Sequence, residues 1–296
     1  IVSNTYLSYN LNKNEIRLGN ISRTFEVPFF GRGAEVTFNN KTKSRGLQAG
    51  FIDENFNLIQ KNSFLKNGYG FYAVGMLNQQ NTLNNYTFNY IFKEDVYENA
   101  LHHVMGSEIN RNLGKFGNLK MRIYEGYSNY KSDKIQNLST AIEAQHIGEY
   151  KTIRTSGNYF YSTKYFPGNR RGLLQLQQTF TKSLSKTSSL YASVFASDFA
   201  PRSYTYNMNI KSTNIRTDAG INLPRLKNIT LTLTYQYQRE ASNSINRQLN
   251  IADTGNFLSI DAHRLVSNLN WTSPNQYHSF IIGVDGNDAD NAAHAA

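Results

Sequence analysis

The chain contains no cysteine, so it has neither a disulfide framework nor a cysteine-based metal or redox site. No stretch approaches the roughly 18 to 20 apolar residues that a membrane-spanning helix needs. No proline-rich or serine-rich linker divides the chain, and its first ten residues lack the basic start and apolar core of a signal peptide. We therefore expect one main domain. If the protein is exported, we expect this sequence to be its mature form or a fragment.

Aromatic residues are abundant, with 20 Tyr and 18 Phe in a chain whose mean hydropathy is −0.54. A water-soluble globule usually carries more aliphatic bulk. Lys and Arg outnumber Asp and Glu by 31 to 21, which gives a net charge of +10. This surplus would attract phosphate-rich surfaces, including anionic lipid headgroups. Because it is spread along the chain without a block of like charges, we expect no nucleic acid partner.

Apolar and polar residues alternate with a period of two, as in NITLTLTYQYQRE at 228–240. This is the period of a pleated strand and not of a helix. Turn signals rich in Asn, Asp, Gly and Pro separate the alternating segments, for example at 12–15, 39–46, 130–134 and 166–172. The pattern predicts roughly 14 to 18 antiparallel strands in a meander. Residues 94–109 are compatible with either one short helix or another strand pair.

Three features of the sequence favour strands that cross a membrane over strands that pack in the core of a soluble protein. Many strand candidates span nine to twelve residues, and a membrane-crossing strand needs about 9 to 11. Their polar faces carry hydroxyls, amides and charges of both signs, and Tyr and Phe crowd the strand ends. We therefore predict an all-β, antiparallel transmembrane β-barrel over residues 1–284, complete or part of a larger barrel. Residues 285–296 are interpreted as an unstructured tail, a linker or a cloning remnant.

In strand length, alternation of polar and apolar residues and placement of aromatic residues, residues 1–284 resemble the outer-membrane β-barrel proteins of Gram-negative bacteria. A narrower likeness lies in EIRLGNISRTFEVPFFGRGAEVTF at 15–38. There a strand ending in Leu18-Gly19 is followed by a short excursion, and residues 29–33, FFGRG, then enter the next strand. This stretch is similar to the barrels of fimbrial ushers and other large export channels. The chain lacks the closing strand with a final aromatic residue that a complete barrel has, so we expect a longer chain or additional components.

The resemblance implies a passive channel or an export and assembly scaffold in the outer membrane, and not an enzyme. Its cargo would be a protein or fimbrial subunit, or an anionic solute. No cofactor or metal is expected. Outer-membrane lipid, including lipopolysaccharide, is the expected partner, with other envelope or secretion subunits as further partners. The residues predicted to line the pore are Lys120, Arg122, Arg154, Arg216, Thr232, Thr234, Gln236 and Gln238.

A basic cluster beside aromatic residues occurs in YSTKYFPGNRRG at 161–172. Lys164, Arg170 and Arg171 are predicted to bind an anion or a lipid headgroup at a turn. A solvated loop near the membrane interface is the alternative for the same residues.

Two further groups of residues could carry chemistry. Asp261 and His263 are two apart and share a strand face, as in the Asp-x-His pair of omptin-type outer-membrane proteases, which is the minor enzymatic alternative. His102 and His103 are adjacent, so they diverge and cannot easily hold one ion together. The other alternative is a secreted or surface β-sandwich adhesin that binds glycan, and extraction separates it from a barrel because an adhesin is soluble in buffer.

Overall fold

The structure, a computed structural model, describes residues 5–54, 68–132, 134–205, 210–224, 226–243, 258–273 and 276–291. These residues form sixteen strands, and each strand pairs with the next one along the chain without a crossover. All pairs that we detail below are antiparallel. The predicted all-β antiparallel meander is confirmed. Within these residues, β1 and β16 are the two edges of the sheet.

The strands are β1 Tyr6–Leu11, β2 Asn14–Arg23, β3 Phe29–Asn39, β4 Arg45–Asp53, β5 Tyr69–Leu77, β6 Asn85–Asp95, β7 Ala100–Asn112, β8 Asn118–Tyr130, β9 Ile135–Tyr150, β10 Ile153–Ser162, β11 Leu173–Ser183, β12 Ser189–Phe199, β13 Ser212–Asn222, β14 Ile229–Ser242, β15 Leu258–Ser273 and β16 Gln276–Asn291. The sole helical element of the described residues is a 3-10 turn, Gly114–Phe116. None of their helices has the length and apolar character to cross a bilayer.

The segment 94–109 is a strand pair and not a helix. Strand β6 ends at Asp95 and β7 begins at Ala100, with Asn99 in a left-handed conformation (φ 49°) in the turn between them. Burial in β7 then alternates, since Ala100, His102 and Val104 are buried while their neighbours are not. The two-residue period therefore prevails over the helical spacing that the sequence also contained.

The sheet has two chemically different faces. The inner face is the one that carries Glu143 and Phe160, and residues 163–172 pack against it. The opposite face is the outer face. The outer face leaves apolar side chains accessible, with Leu138 exposed by 80% and Phe88 by 53%. Residues directly opposite each other in paired strands share a face. The register therefore assigns each side chain of the meander to one face or the other.

An apolar core lies on the inner face of β2–β10. Its buried members are Ile21, Val27, Phe29, Ile52, Tyr72, Val74, Ile91, Val104, Tyr124, Ala141, Phe160 and Phe166. The sequence analysis predicted polar residues on this face and did not anticipate an apolar core there. The reason is that Phe166, from the connection between β10 and β11, folds back and joins these side chains.

Two glycines let β3 and β4 approach closely. A Cβ added at Gly31 would lie 2.1 Å from the carbonyl oxygen of Asp53, and one at Gly33 would lie 1.8 Å from that of Phe51. No side chain fits at these distances. The glycines in FFGRG therefore have a packing role in the β3–β4 pair.

The connections differ between the two ends of the sheet. The end that we call the turn end has the connections 12–13, 40–44, 78–84, 113–117, 151–152, 184–188, 223–228 and 274–275. The opposite end, the loop end, has 24–28, 54–68, 96–99, 131–134, 163–172, 200–211 and 243–257. The longest connections all belong to the loop end.

The last strand extends beyond the predicted domain boundary. Strand β16 runs to Asn291 and pairs with β15 along its whole length. The expectation of an unstructured tail therefore fails for residues 285–291, while residues 292–296 lie outside the described residues. Backbone pairing orders this segment although its sequence has no alternating pattern.

Candidate functional site

A row of polar residues crosses the inner face from β6 to β14. Each member lies directly opposite the next one in the neighbouring strand, so they share one face and one level. The row holds six carboxamides, two cations and one phenyl ring. Its members, which we call the amide row, are Asn85, Asn110, Lys120, Gln145, Asn158, Gln177, Phe195, Arg216 and Gln238.

All eight residues predicted to line a pore lie on the inner face. Three of them belong to the amide row, and Arg154 and Thr234 belong to a second row connected through β11, β12 and β13. The other three are Arg122, Thr232 and Gln236, whose registers place them on the same side. Their shared face is thus a structural finding, while a pore lining remains a prediction.

Carboxylates that the sequence analysis missed neutralise several of these cations. Glu108 accepts a hydrogen bond from Arg122 at 2.6 Å and pairs with Lys120 at 3.0 Å. Arg122 also donates to Glu143 at 3.1 Å. The partners of Arg122 are 14 and 21 positions away in sequence. Because such pairs depend on strand register, the local sequence gave no signal for them.

A polar groove of about 350 Å³ lies along the inner face of β11–β14. Arg216 lies in this groove with half of its side chain exposed, and its Nε is 3.1 Å from Asp218. The hydroxyl of Ser193 donates to the same carboxylate at 3.1 Å. The groove is lined by Gln177, Thr179, Ser193, Val194, Phe195, Asn214, Arg216, Asp218 and Gln238. It can therefore offer hydrogen-bond donors and acceptors to a polar solute.

Residues 163–172, which we call the crossing segment, extend from the β10–β11 connection across the inner face. The carbonyl of Thr163 accepts hydrogen bonds from the backbone of Phe166 at 3.1 Å and of Gly172 at 3.0 Å, so the segment is a compact loop. The backbone of Asn169 donates to the carbonyl of Glu26 in the β2–β3 connection at 3.2 Å. The segment therefore joins strands that are distant in the meander.

Arg170 anchors the crossing segment to two buried carboxylates. Its guanidinium donates to Glu26 and, at 3.0 Å, to Glu143, and it lies 3.6 Å from the centroid of the Phe160 ring. Burial by itself lowers the pKa of Arg170, but the hydrogen bonds to Glu26 and Glu143 outweigh it and raise the pKa. Arg170 therefore stays charged in this contact.

Arg171 makes an equivalent contact on the other side of the segment. It donates to both oxygens of Glu98 and, through Nε, to the carbonyl of Phe166 at 2.8 Å. Burial lowers the pKa of Arg171, and the hydrogen bonds to Glu98 more than reverse this effect. The structure thus differs from the predicted anion or headgroup site, because both arginines already bind carboxylates; Lys164 is the exposed member of the three.

Asp261 and His263 share a strand face as predicted, but this is the outer face. The Tyr237 hydroxyl donates to Asp261 at 3.0 Å, and the Tyr235 hydroxyl lies 2.8 Å from Nδ1 of His263. The neighbouring Leu265 on the same face is 56% exposed. These contacts place the two groups on the outer face, where Arg239 also lies 3.8 Å from Asp261.

His102 and His103 diverge as predicted. His102 is on the inner face and 1% exposed, whereas His103 is on the outer face with Nδ1 2.7 Å from the Tyr90 hydroxyl.

No protein-family model and no curated protein matches this chain. Nine solved chains are similar in structure. The FrpB iron transporter of Neisseria meningitidis (F3-3 variant) aligns at 11% identity with a TM-score of 0.40, over 94% of this chain and 57% of the transporter. OccAB2 of Acinetobacter baumannii aligns at 13% identity with a TM-score of 0.44, over 95% of this chain and 76% of its own.

These two neighbours are outer-membrane β-barrel proteins, and neither is an usher. The chain spans little more than half of the Neisseria transporter.

Proposed function

We propose that the chain forms the wall of an outer-membrane β-barrel that conducts polar solutes, with a narrow path partly closed by the crossing segment. One observation carries this proposal: the same strands present accessible apolar side chains on the outer face and rows of amides and charges on the inner face. Strands that alternate in this way have lipid on one side and water on the other in transmembrane barrels.

The outer face supports the lipid assignment. Soluble monomers rarely expose contiguous apolar patches above a few hundred Å², whereas this face exposes large apolar side chains on nearly every strand. Towards the loop end it also carries a ring cluster whose neighbouring centroids lie 5.0 to 6.2 Å apart. This cluster consists of Phe51, Tyr69, Phe71, Tyr90, Phe92, His103 and Tyr127. Such rings are typical of the interface between headgroups and hydrocarbon.

A bilayer provides no hydrogen-bond partners for an open sheet edge. The proposal therefore includes closure of the barrel at β1 and β16, either against each other or through further strands. Outer-membrane barrels have short periplasmic turns and longer extracellular loops. By this criterion the loop end, with the crossing segment, faces the outside of the cell, where lipopolysaccharide would surround it.

The amide row and the groove suggest the kind of cargo. Carboxamides both donate and accept hydrogen bonds, so they can replace the hydration of a neutral or anionic polar solute. Lys120 and Arg216, each paired with a carboxylate, add hydrogen-bond donors at the same level as the amides. Export of a protein or fimbrial subunit is the second candidate that follows from residues 15–38, and it would require the crossing segment to move out of the path.

Planar-bilayer recording of the refolded full chain tests the proposal. We expect detergent to be required for solubility and small, reproducible conductance steps after insertion. If the folded and inserted chain carries no current under any applied voltage, the channel proposal fails. Solubility of the folded protein in plain buffer would instead favour the surface adhesin.

A further inference from the structure

Three potential metal ligands meet at the hairpin between β6 and β7. A carboxylate oxygen of Asp95, a carboxylate oxygen of Glu98 and a ring nitrogen of His102 all lie within 4.8 Å of one another. The turn itself brings them together, because Oδ1 of Asp95 accepts a hydrogen bond from the backbone N–H of Glu98 at 2.9 Å. This contact folds Glu98 back towards His102, which lies two residues into β7.

His102 supplies an independent observation that points to a ligand. Its side chain is 1% exposed, and its Nδ1 is 2.8 Å from the hydroxyl of Ser128. Its Nε2 has no hydrogen-bond partner within the part of the chain that the structure describes, and the nearest carboxylate oxygen, from Glu98, is 4.0 Å away. A buried polar atom without a partner is uncommon in folded proteins. This nitrogen lies beside the carboxylate of Glu98.

We propose that Asp95, Glu98 and His102 bind one divalent transition-metal cation of the zinc type. Imidazole nitrogen and carboxylate oxygen are ligands of Zn²⁺ at about 2.0 to 2.2 Å, which in a tetrahedron separates the donors by about 3.4 Å. The three donor atoms, within 4.8 Å of one another, lie close to this spacing. The partly exposed side of Asp95 gives access for the ion and for a water as fourth ligand.

The surroundings of the three residues suit this assignment. Ser128 fixes the ring of His102 through Nδ1, as second partners of metal-bound histidines commonly do. Arg171 holds both oxygens of Glu98, yet each carboxylate oxygen has two lone pairs and can serve a cation and a donor together. The nearby Lys93 is bound to Glu54 at 2.7 Å and does not occupy the site.

Because Glu98 also binds Arg171, an ion that fixes Glu98 would stabilise the position of the crossing segment. Zn²⁺ binding at this site requires neither membrane insertion nor transport, so it is tested separately from the channel.

Metal binding can be measured on the refolded full chain by dialysis against Zn²⁺ followed by metal analysis. We expect one equivalent to bind with saturation in the wild type. Asp95→Asn keeps the acceptor for the Glu98 backbone and loses the charge, and His102→Gln removes the imidazole. Both should weaken binding at least 10-fold. His103→Gln, one residue away on the outer face, is the matched control and should bind Zn²⁺ as the wild type does.

Two results would overturn the site. One is the absence of saturable binding at one equivalent in the folded wild type, and the other is wild-type affinity in Asp95→Asn. If His102→Gln does not fold, Asp95→Asn alone decides. Competition by Ca²⁺ at equal concentration would also contradict the assignment, since Ca²⁺ prefers six to eight oxygen ligands and gains little from an imidazole.

Discussion

The guanidinium of Arg170 donates through Nε to the carboxylate of Glu26 at 3.2 Å, although the two residues are 144 positions apart in sequence. The same guanidinium donates to Glu143 at 3.0 Å. Both carboxylate side chains are only 5% exposed, and Arg170 compensates their burial, together with Arg122 at Glu143. The contact connects the β2–β3 connection to strand β9 through the crossing segment.

Removing this guanidinium should destabilise the barrel and widen its path. Arg170→Ala leaves Glu26 and Glu143 buried with one partner fewer each, and breaking a buried ion pair from one side costs about 3 to 5 kcal/mol. Because the Arg170 side chain is 30% exposed, we expect the lower end of that range. The free energy of unfolding in detergent and the single-channel conductance would report the two effects.

The control for Arg170→Ala is Arg154→Ala. Arg154 pairs with Glu149 at 3.0 Å, but the two side chains are 70% and 60% exposed. Exposed pairs contribute about 0 to 1 kcal/mol. Equal destabilisation by the two variants would mean that the crossing segment is not anchored by Arg170.

The assignment of the two faces can be tested with adjacent residues. Leu176 lies on the outer face, 39% exposed, while Gln177 lies on the inner face in the amide row. An arginine on the lipid face costs about 2 to 4 kcal/mol at the bilayer midplane. Leu176→Arg should therefore reduce folding into vesicles, and Gln177→Arg should fold like the wild type. The opposite ranking of folded fractions would reverse the two faces.

The sequence predicted the strands well because the two-residue period is a local property. The face of each residue in β14 follows from this period alone, so Thr232 and Gln238 were correctly placed with Arg216. The positions of turn signals were also readable, since the segments 12–15 and 130–134 contain the connections 12–13 and 131–134.

What the sequence did not predict depends on contacts between distant strands. Nothing near Arg170 or Arg171 indicates Glu26 or Glu98, so their basic cluster was interpreted as an external anion site. Likewise, Phe166 was read as part of a surface turn, although it is fully buried in the inner core. Both errors arise because a connection that folds inwards has the same composition as one that points to solvent.

The glycines of β3 should be intolerant to a methyl group. In Gly33→Ala the new Cβ would lie 1.8 Å from the carbonyl oxygen of Phe51, and a backbone atom cannot rotate away. Overpacking of this kind typically costs about 1 to 3 kcal/mol. The matched control is Gly75→Ala, whose Cβ would have its nearest neighbour at 4.0 Å. Denaturation midpoints in detergent should fall for Gly33→Ala only, and an equal fall in both variants would contradict the close approach.

The protease alternative predicts loss of hydrolysis when its Asp-x-His pair is removed. We expect the double variant Asp261→Ala with His263→Ala to leave any peptide hydrolysis by the purified protein at the level of the wild type, because both groups are bound to tyrosines on the outer face. Cleavage of fluorogenic peptides would be followed over time. A wild-type rate above background that disappears in the double variant would restore the enzymatic alternative.

The charge of Arg216, which lies in the groove, should influence the ratio of anion to cation permeability. Arg216 is half exposed beside Asp218, so Arg216→Gln removes a positive charge and leaves a negative one in the path. Unit charges 4 Å apart interact by about 1 kcal/mol in water, which limits the change in the anion-to-cation permeability ratio to about fivefold in favour of cations. Reversal potentials in a KCl gradient measure this ratio, and the shift should be larger at low salt because screening is weaker.

The control for the groove is Arg239→Gln on the next strand. Arg239 is also half exposed, but it lies on the outer face, 3.8 Å from Asp261. The substitution Arg239→Gln removes the same charge without altering the inner face, so the reversal potential should stay at the wild-type value. An equal shift in both variants would mean that the effect comes from the overall charge of the protein and not from a path along the groove.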